Sequence, residues 1–348
     1  MIQKHIYSNL PVPDFSWDRS CFNRIKTWID QCSEHTICPR VTSAILPRRV
    51  IEVPKDPSVA PRLLTPNGGV GQYVILSHCW GKKVPARLTT SLITEYGQSM
   101  SVELLPQSFE DAIEITRRLG YRYLWIDALC IIQDDANDWE QEAPMMASYY
   151  GLSSLMISAT AARDSCEGFL TRRDVIVSPG LGVERSRYLR YGIIRSDRDI
   201  ADSILSTRGW AAQERLLAPR IIHYTRRQMI WECAEGLASE ASGPHLLKSP
   251  VTNDYPIPQK RRLQPLFTEA LVEANSRFCF PLNPARSGVP LLLQAWHECV
   301  HEYSNRRLTM SSDKLHAVAG IATLLNDNGE LGYYLAGIWS KHLADHLA

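Results

Sequence analysis

No charge of one sign dominates this chain. Across 348 residues, 38 Lys and Arg stand against 37 Asp and Glu, a formal net charge of +1. So even a balance gives no general pull toward nucleic acid or an anionic lipid surface, and neither is expected as a partner. Long hydrophobic runs are also missing. The most apolar stretches, Tyr123 to Ile132 and Val289 to Leu293, fall well short of the ~20 residues that span a bilayer. Met1 to Trp17 has no apolar core behind a basic head, so no secretory signal is expected. There is no internal repeat and no low-complexity tract. The nine cysteines are odd in number and scattered. That suits reduced thiols in an intracellular, cytoplasmic protein better than a disulfide framework.

What is there reads as globular. Hydrophobic residues make up 45% and charged residues 22%, with nine Trp and fourteen Tyr, enough for a large, partly aromatic core. Asp18 to Cys32 reads as a helix and Leu46 to Val53 as a turn followed by a strand. Pro57 to Gly71 holds three prolines and three glycines and reads as a loop. Tyr73-Val74-Ile75-Leu76 is short, apolar and β-branched, as a buried strand is. It runs into the polar, glycine-closed Ser77-His78-Cys79-Trp80-Gly81.

Leu105 to Gly120 is the clearest helix. Leu105, Phe109, Ala112, Ile113, Thr116 and Leu119 share one face, Ser108 and Asp111 resemble a capping box, and Gly120 is a C-terminal stop. Tyr123 to Ile126 and Ser154 to Ala159 repeat the buried-strand pattern. Alternating strands and helices point to an open parallel sheet, whose ligands bind beyond the carboxyl ends of the strands. Ser77 to Gly81 and Asp127 to Asp135 would then share a rim. Residues 186–235 hold several short strand-like runs around Thr207 to Trp210, Ser242 to Pro265 reads as an exposed loop, and residues 266–348 are mostly helical in pattern. The segments divide as 1–55, a helical and strand-forming start, 56–235, the core, and 236–348, a loop and helical region.

Several of these blocks resemble one family. Tyr73 to Gly81 is similar to the opening signature of the fungal heterokaryon incompatibility (HET) domain. Leu124-Trp125-Ile126-Asp127-Ala128-Leu129-Cys130-Ile131-Ile132-Gln133-Asp134-Asp135 is similar to its second, with Asp138-Trp139, Glu142, Met146 and Tyr150 following. Arg208-Gly209-Trp210-Ala211-Ala212-Gln213-Glu214-Arg215-Leu216-Leu217 resembles the third, and Trp231-Glu232-Cys233 comes after it. Tyr303-Ser304, Arg307 to Thr309, Asp313 to Leu315 and Tyr334 to Trp339 resemble its C-terminal pattern. The resemblance implies an α/β fold similar to the Toll/interleukin-1 receptor (TIR) domain: a flavodoxin-like, mostly parallel sheet with flanking helices. Additional strands and a helical C-terminal region go with it here. It also implies a fungal protein of allorecognition and programmed cell death. Three roles follow: cleavage of NAD at the nicotinamide–ribose bond, a non-enzymatic oligomerising signalling module, or a part in a secondary-metabolite gene cluster. The partners implied are a nucleotide, further copies of the chain or other HET-type proteins. No cofactor is expected, NAD being a substrate.

Glycosidic cleavage passes through an oxocarbenium-like state that a carboxylate stabilises. Glu142 is the candidate, at helical spacing from Trp139, Met146 and Tyr149, although Pro144 interrupts that helix. Ser77, Trp80 and Gly81 would donate to phosphate or ribose, Asp127 and Gln133 would bind ribose hydroxyls, and Arg208 or Arg215 would face a phosphate or a carboxylate. Each has a structural reading as well. Asp127, Asp134 and Asp135 cap turns and helices, Trp80, Trp125 and Trp210 fill a core, and Arg208, Glu214 and Arg215 form an ion-pair network.

Three further patterns carry chemistry. His297-Glu298-Cys299-Val300-His301 spells H-E-x-x-H, with Asp313 and His316 as distant third-ligand candidates. Cys32, His35 and Cys38 with Cys21 spell a Cys₃His set, or the packed end of a helix; no metal is expected at either place. His78 and Cys79, being adjacent on an extended segment, point to opposite sides and do not pair; Cys130 is the thiol that could come near His78.

Overall fold

A computed structural model describes residues 12–40, 43–81, 86–173, 196–242, 289–308, 310–326 and 329–343. Its centre is an eight-stranded mixed sheet. The strands are β1 (Val50–Glu52), β2 (Arg62–Leu64), β3 (Tyr73–Ser77), β4 (Tyr123–Trp125), β5 (Leu155–Ser158), β6 (Arg220–Tyr224), β7 (Met229–Cys233) and β8 (Gly236–Ser239). They lie in the order β8-β7-β6-β5-β3-β4-β1-β2. The inner four, β6-β5-β3-β4, are parallel. Antiparallel strands are added at both edges, β1 and β2 beyond β4, and β7 and β8 beyond β6. Every residue of β3 and β5 is buried, as expected for a parallel strand covered on both faces.

Besides the short helices Ile93–Gln98 and Ser196–Ala201, the helices among the described residues are α1 (Arg19–Ser33), α2 (Gln107–Leu119), α3 (Asp127–Cys130), α4 (Ala136–Glu142), α5 (Met146–Gly151), α6 (Trp210–Leu217), α7 (Val289–Ser304) and α8 (His316–Leu325). Two of them start and stop as the sequence dictates. Asp18 caps α1 by accepting from Ser20 N, and α2 ends at Gly120 with φ +86°, a left-handed conformation that glycine takes without a Cβ clash. The expected capping box is not formed. Ser108 and Asp111 are both buried inside α2; Ser108 Oγ donates to the Glu167 carbonyl at 2.7 Å, and Asp111 Oδ2 accepts from Phe169 N at 2.7 Å and Leu170 N at 2.9 Å. The helix start is spent on fastening the 167–170 segment.

Two other expectations are corrected. The loop expected over Pro57 to Gly71 contains β2, which pairs with β1 and carries the buried Leu63. Of the strand-like runs expected over residues 186–235, β6 and β7 are strands, whereas Thr207 to Trp210 itself closes a short 3₁₀ turn, Leu205–Thr207, and starts α6. The expected loop over Ser242 to Pro265 lies, apart from its first residue, outside the described residues. One hydrophobic cluster joins Phe22 and Trp28 of α1, Ile75 of β3, Trp231 of β7, Trp296 of α7 and Trp339. Each fully buried side chain of this kind contributes about 1.5–3 kcal/mol, so the edges of the chain are fastened to the same core as its centre. Among the described residues no helix is long and apolar enough to cross a membrane.

Candidate functional site

In the parallel part the order β4-β3-β5-β6 reverses direction of travel between β3 and β5. Chain segments leaving those two strands diverge to opposite sides and leave a crevice beyond their carboxyl ends. The segment after β3 supplies Ser77 to Gly81. Strand β4 leads through Ile126 into α3, which presents Asp127. A cleft of about 480 Å³ lies there, and Trp80, Gly81, Asp127, Gln133 and Arg208 are in its lining. The sequence expectation thus converges for these five residues.

Local hydrogen bonds set their aim. Trp80 Nε1 donates to Asp127 Oδ2 at 2.7 Å, and Ala128 N donates to Asp127 Oδ1 at 2.7 Å. Gln133 Nε2 donates to the carbonyls of Asp127 and Ile131 at 3.1 and 2.9 Å, bracing α3. The Arg208 guanidinium donates to the His78 carbonyl, so the third sequence block is tied to the first. Gly81 has φ +79°, and a Cβ there would run into the Asp164 side chain. Only glycine lets the chain turn at that rim.

Ser77 acts through a partner that sequence reasoning left as structural. Its Oγ donates to Glu214 Oε2 at 2.5 Å in a buried contact, and Glu214 lines the cleft. Glu214 is 3% exposed. Burial pushes its carboxyl up to about 7, against the opposing pull of Arg208 and the Ser77 hydroxyl. A carboxyl with that setting changes charge at neutral pH, which is what general acid–base and electrostatic roles need. The clue available in the sequence was its helical position in α6, behind Arg208 and Trp210.

Trp139 and Trp210 complete the aromatic walls with Trp80, and Arg163, Arg307 and Asp313 add charges of both signs. Trp210 Nε1 donates to Asp313 Oδ2 at 3.1 Å. Gly209 N donates to the Arg307 carbonyl at 2.7 Å, which brings the C-terminal segment over the cleft. Trp125 is the one of the three weighed tryptophans that is core, being fully buried; Trp80 and Trp210 are partly exposed.

Two expected site residues are elsewhere. Glu142 is the last residue of α4 and 2% exposed, and is not in the lining of the cleft. Tyr149 Oη donates to its Oε2 at 3.0 Å, and the guanidinium groups of Arg48 and Arg49 each stand 3.7 Å from Oε1. Burial raises its carboxyl, with the Tyr149 hydrogen bond and Arg49 opposing. Asp138 completes the set, pairing with Arg49 and Arg48 and accepting from Ile132 N. Pro144 sits in the 3₁₀ turn Ala143–Met145 that links α4 to α5, and this break aims Glu142 at Arg48 and Arg49. Arg215 pairs with Glu232 at 2.9 Å and lines a smaller neighbouring pocket with Ser77 and His223.

The remaining motifs resolve in physical terms. Asp135 caps α4 by accepting from Asn137 N at 2.9 Å, and Asp134 accepts from Thr90 N at 2.8 Å. Burial pushes the Cys79 and Cys130 thiols up to about 11 and about 12 and the His78 imidazole down to about 4. No thiolate–imidazolium pair forms from groups so placed. His297 and His301 are exposed on α7. The one grouping of three or more metal-ligating side chains among the described residues is Cys32, His35, Cys38 and Cys233. Cys21 is not part of it and hydrogen-bonds Glu240 at 3.3 Å.

Residues 73–214 match the family model described as heterokaryon incompatibility protein (HET). The chain carries a HET domain. The matched segment runs from the first residue of β3 to Glu214, so the HET domain holds every strand end, loop and side chain that builds the cleft except the closing segment around Arg307 and Asp313. No curated protein and no solved structure matches the chain.

Proposed function

We propose that this HET domain is TIR-like and hydrolyses NAD at the nicotinamide–ribose bond, with Glu214 as its carboxylate. The single observation behind this reading is a buried Ser77–Glu214 pair at a cleft beyond the parallel strands, with tryptophan walls and charges of both signs. NAD carries a cationic planar ring and an anionic diphosphate. Tryptophan faces favour the first, by cation–π attraction and stacking, and arginines the second. Asp127, fixed by Trp80 and Ala128, would accept from a ribose hydroxyl.

In the reaction the ribose–nitrogen bond breaks and nicotinamide leaves with the bonding pair. Ionised Glu214 stabilises the positive charge that builds on the ribose. Water adds to the anomeric carbon and its proton passes to solvent, giving nicotinamide, ADP-ribose and one proton. Loss of NAD would link this chemistry to incompatibility-type cell death.

The test is purified protein with NAD, read by chromatography for nicotinamide and ADP-ribose. Glu214→Gln is expected to cut turnover by about 10²-fold or more, with Glu142→Gln retaining it. Absence of release by the unaltered protein at every concentration ends the hydrolase reading. Calorimetric binding of NAD without release would then favour a non-hydrolysing nucleotide-sensing module. Loss of turnover in Glu142→Gln but not in Glu214→Gln would overturn the assignment of the carboxylate.

A further inference from the structure

The end of helix α1 and the end of strand β7 meet outside the cleft. Cys32 is in the last turn of α1, His35 and Cys38 follow it at three-residue steps, and Cys233 is the final residue of β7. One ligand atom from each lies within 4.8 Å of all the others. His35 Nδ1 is 3.4 Å from Cys38 Sγ and 3.7 Å from Cys233 Sγ. We propose that these four side chains form a structural zinc site of the Cys₃His type.

The distances fit the ion. A tetrahedron with Zn–S about 2.3 Å and Zn–N about 2.0 Å has S···N edges of about 3.5 Å and S···S edges of about 3.8 Å. The observed N···S separations bracket the first value, and no pair needs to close by much more than about 1 Å to reach its edge. A disulfide would use two of the three sulfurs and leave the imidazole without a role. Zinc uses all four atoms.

The surroundings suit anionic sulfur. Cys233, Ala234, Glu235 and Gly236 form the tight turn between β7 and β8, with Gly236 paired to Cys233. Three thiolates, one neutral imidazole and Zn²⁺ sum to one negative charge. Arg220 stands directly opposite Cys233 in the β6–β7 ladder, so the two side chains leave the sheet on the same face. Its Nη2 donates to the Pro39 carbonyl, next to Cys38, at 2.8 Å, and its buried Nε has no partner among the described residues. This cation is the charge partner of the cluster. Binding forms three Zn–S bonds and one Zn–N bond and releases the thiol protons to solvent, with no change of oxidation state. The site staples α1 to the β7–β8 hairpin, across a very long stretch of sequence.

Elemental analysis of the purified full chain is expected to give one zinc per chain. Substituting Co²⁺ should give thiolate-to-cobalt charge-transfer bands and the intense visible absorption of tetrahedral coordination. His35→Ala and Cys233→Ser should each lose most of the metal, whereas Cys21→Ser should keep it. A chelator should lower the unfolding midpoint of the unaltered chain and not that of His35→Ala. The cobalt spectrum of the unaltered chain decides the matter even if Cys233→Ser fails to fold. A metal-free chain with no cobalt charge transfer, a disulfide among these cysteines, or zinc retained by both His35→Ala and Cys233→Ser would each overturn the proposal. The site is independent of NAD turnover, so either reading can fail alone.

Discussion

Replacing Glu214 by glutamine tests the electrostatics of the cleft without any assumption about its substrate. Glutamine has the shape of the neutral acid and can still accept from Ser77 Oγ. In the folded protein the Glu214 carboxyl is raised from an ordinary 4.5 to about 7. A group raised on folding binds more protons folded than unfolded throughout that interval. Stability contributed by the neutral form is therefore present below the unfolded value and is lost as pH rises through the folded one. At 1.36 kcal/mol per pH unit, the difference is worth about 3 kcal/mol. Denaturant unfolding of both proteins at a series of pH values between 4.5 and 8.5 reads this directly. The unaltered protein should lose about 3 kcal/mol relative to Glu214→Gln across that range, with the steep part between pH 5 and 7. Other titrating groups cancel in the comparison. Parallel stability curves for the two proteins would refute the argument, because a carboxyl ionised throughout produces no such divergence.

Other consequences are read on single variants. Ser77→Ala removes the hydroxyl that donates to Glu214 and should move any pH profile of turnover toward alkaline pH while costing about 1–2 kcal/mol of stability in denaturant. Gly81→Ala places a methyl group against Asp164 at φ +79° and should cost about 2 kcal/mol, measured by thermal unfolding. Asp138→Ala leaves the buried Arg49 guanidinium without its close carboxylate and should lower stability by about 3–5 kcal/mol, whereas Arg62→Ala, at a half-exposed pair with Glu52, should change it by less than about 1 kcal/mol.

The parallel centre of the sheet was legible because its signal is local. A strand buried on both faces must be apolar throughout, as Tyr73 to Leu76 and Leu155 to Ile157 are, and α2 must carry an apolar stripe. The rim position of Asp127 and Trp80 followed from the rule that ligands bind beyond parallel strand ends. What could not be read was where long side chains reach. Glu142 and Glu214 are both helical glutamates after an aromatic residue, Trp139 and Trp210. Nothing local separates one that faces two arginines from one that faces a serine across the sheet. The break at Pro144 gave a hint that the aim of Glu142 changes, but not toward what.

The cysteine cluster shows the same limit more sharply. Three of its members sit within one turn and a half of chain and are visible as a group, while the nearest upstream thiol, Cys21, was the natural fourth. Cys21 meets Glu240 and lies about three turns, roughly 16 Å, along α1 from Cys32, too far to share its ion. The actual fourth position is fixed by the register that sets Cys233 opposite Arg220. A shift of that register by one residue would point Cys233 to the other face of the sheet and bring Glu232 toward α1 instead. Register in a ladder depends on every cross-strand pair along it, here Arg220 to Tyr224 against Met229 to Cys233. A ligand contributed by a strand is therefore legible only once the sheet has been assembled, however plain the helix-borne half of the site.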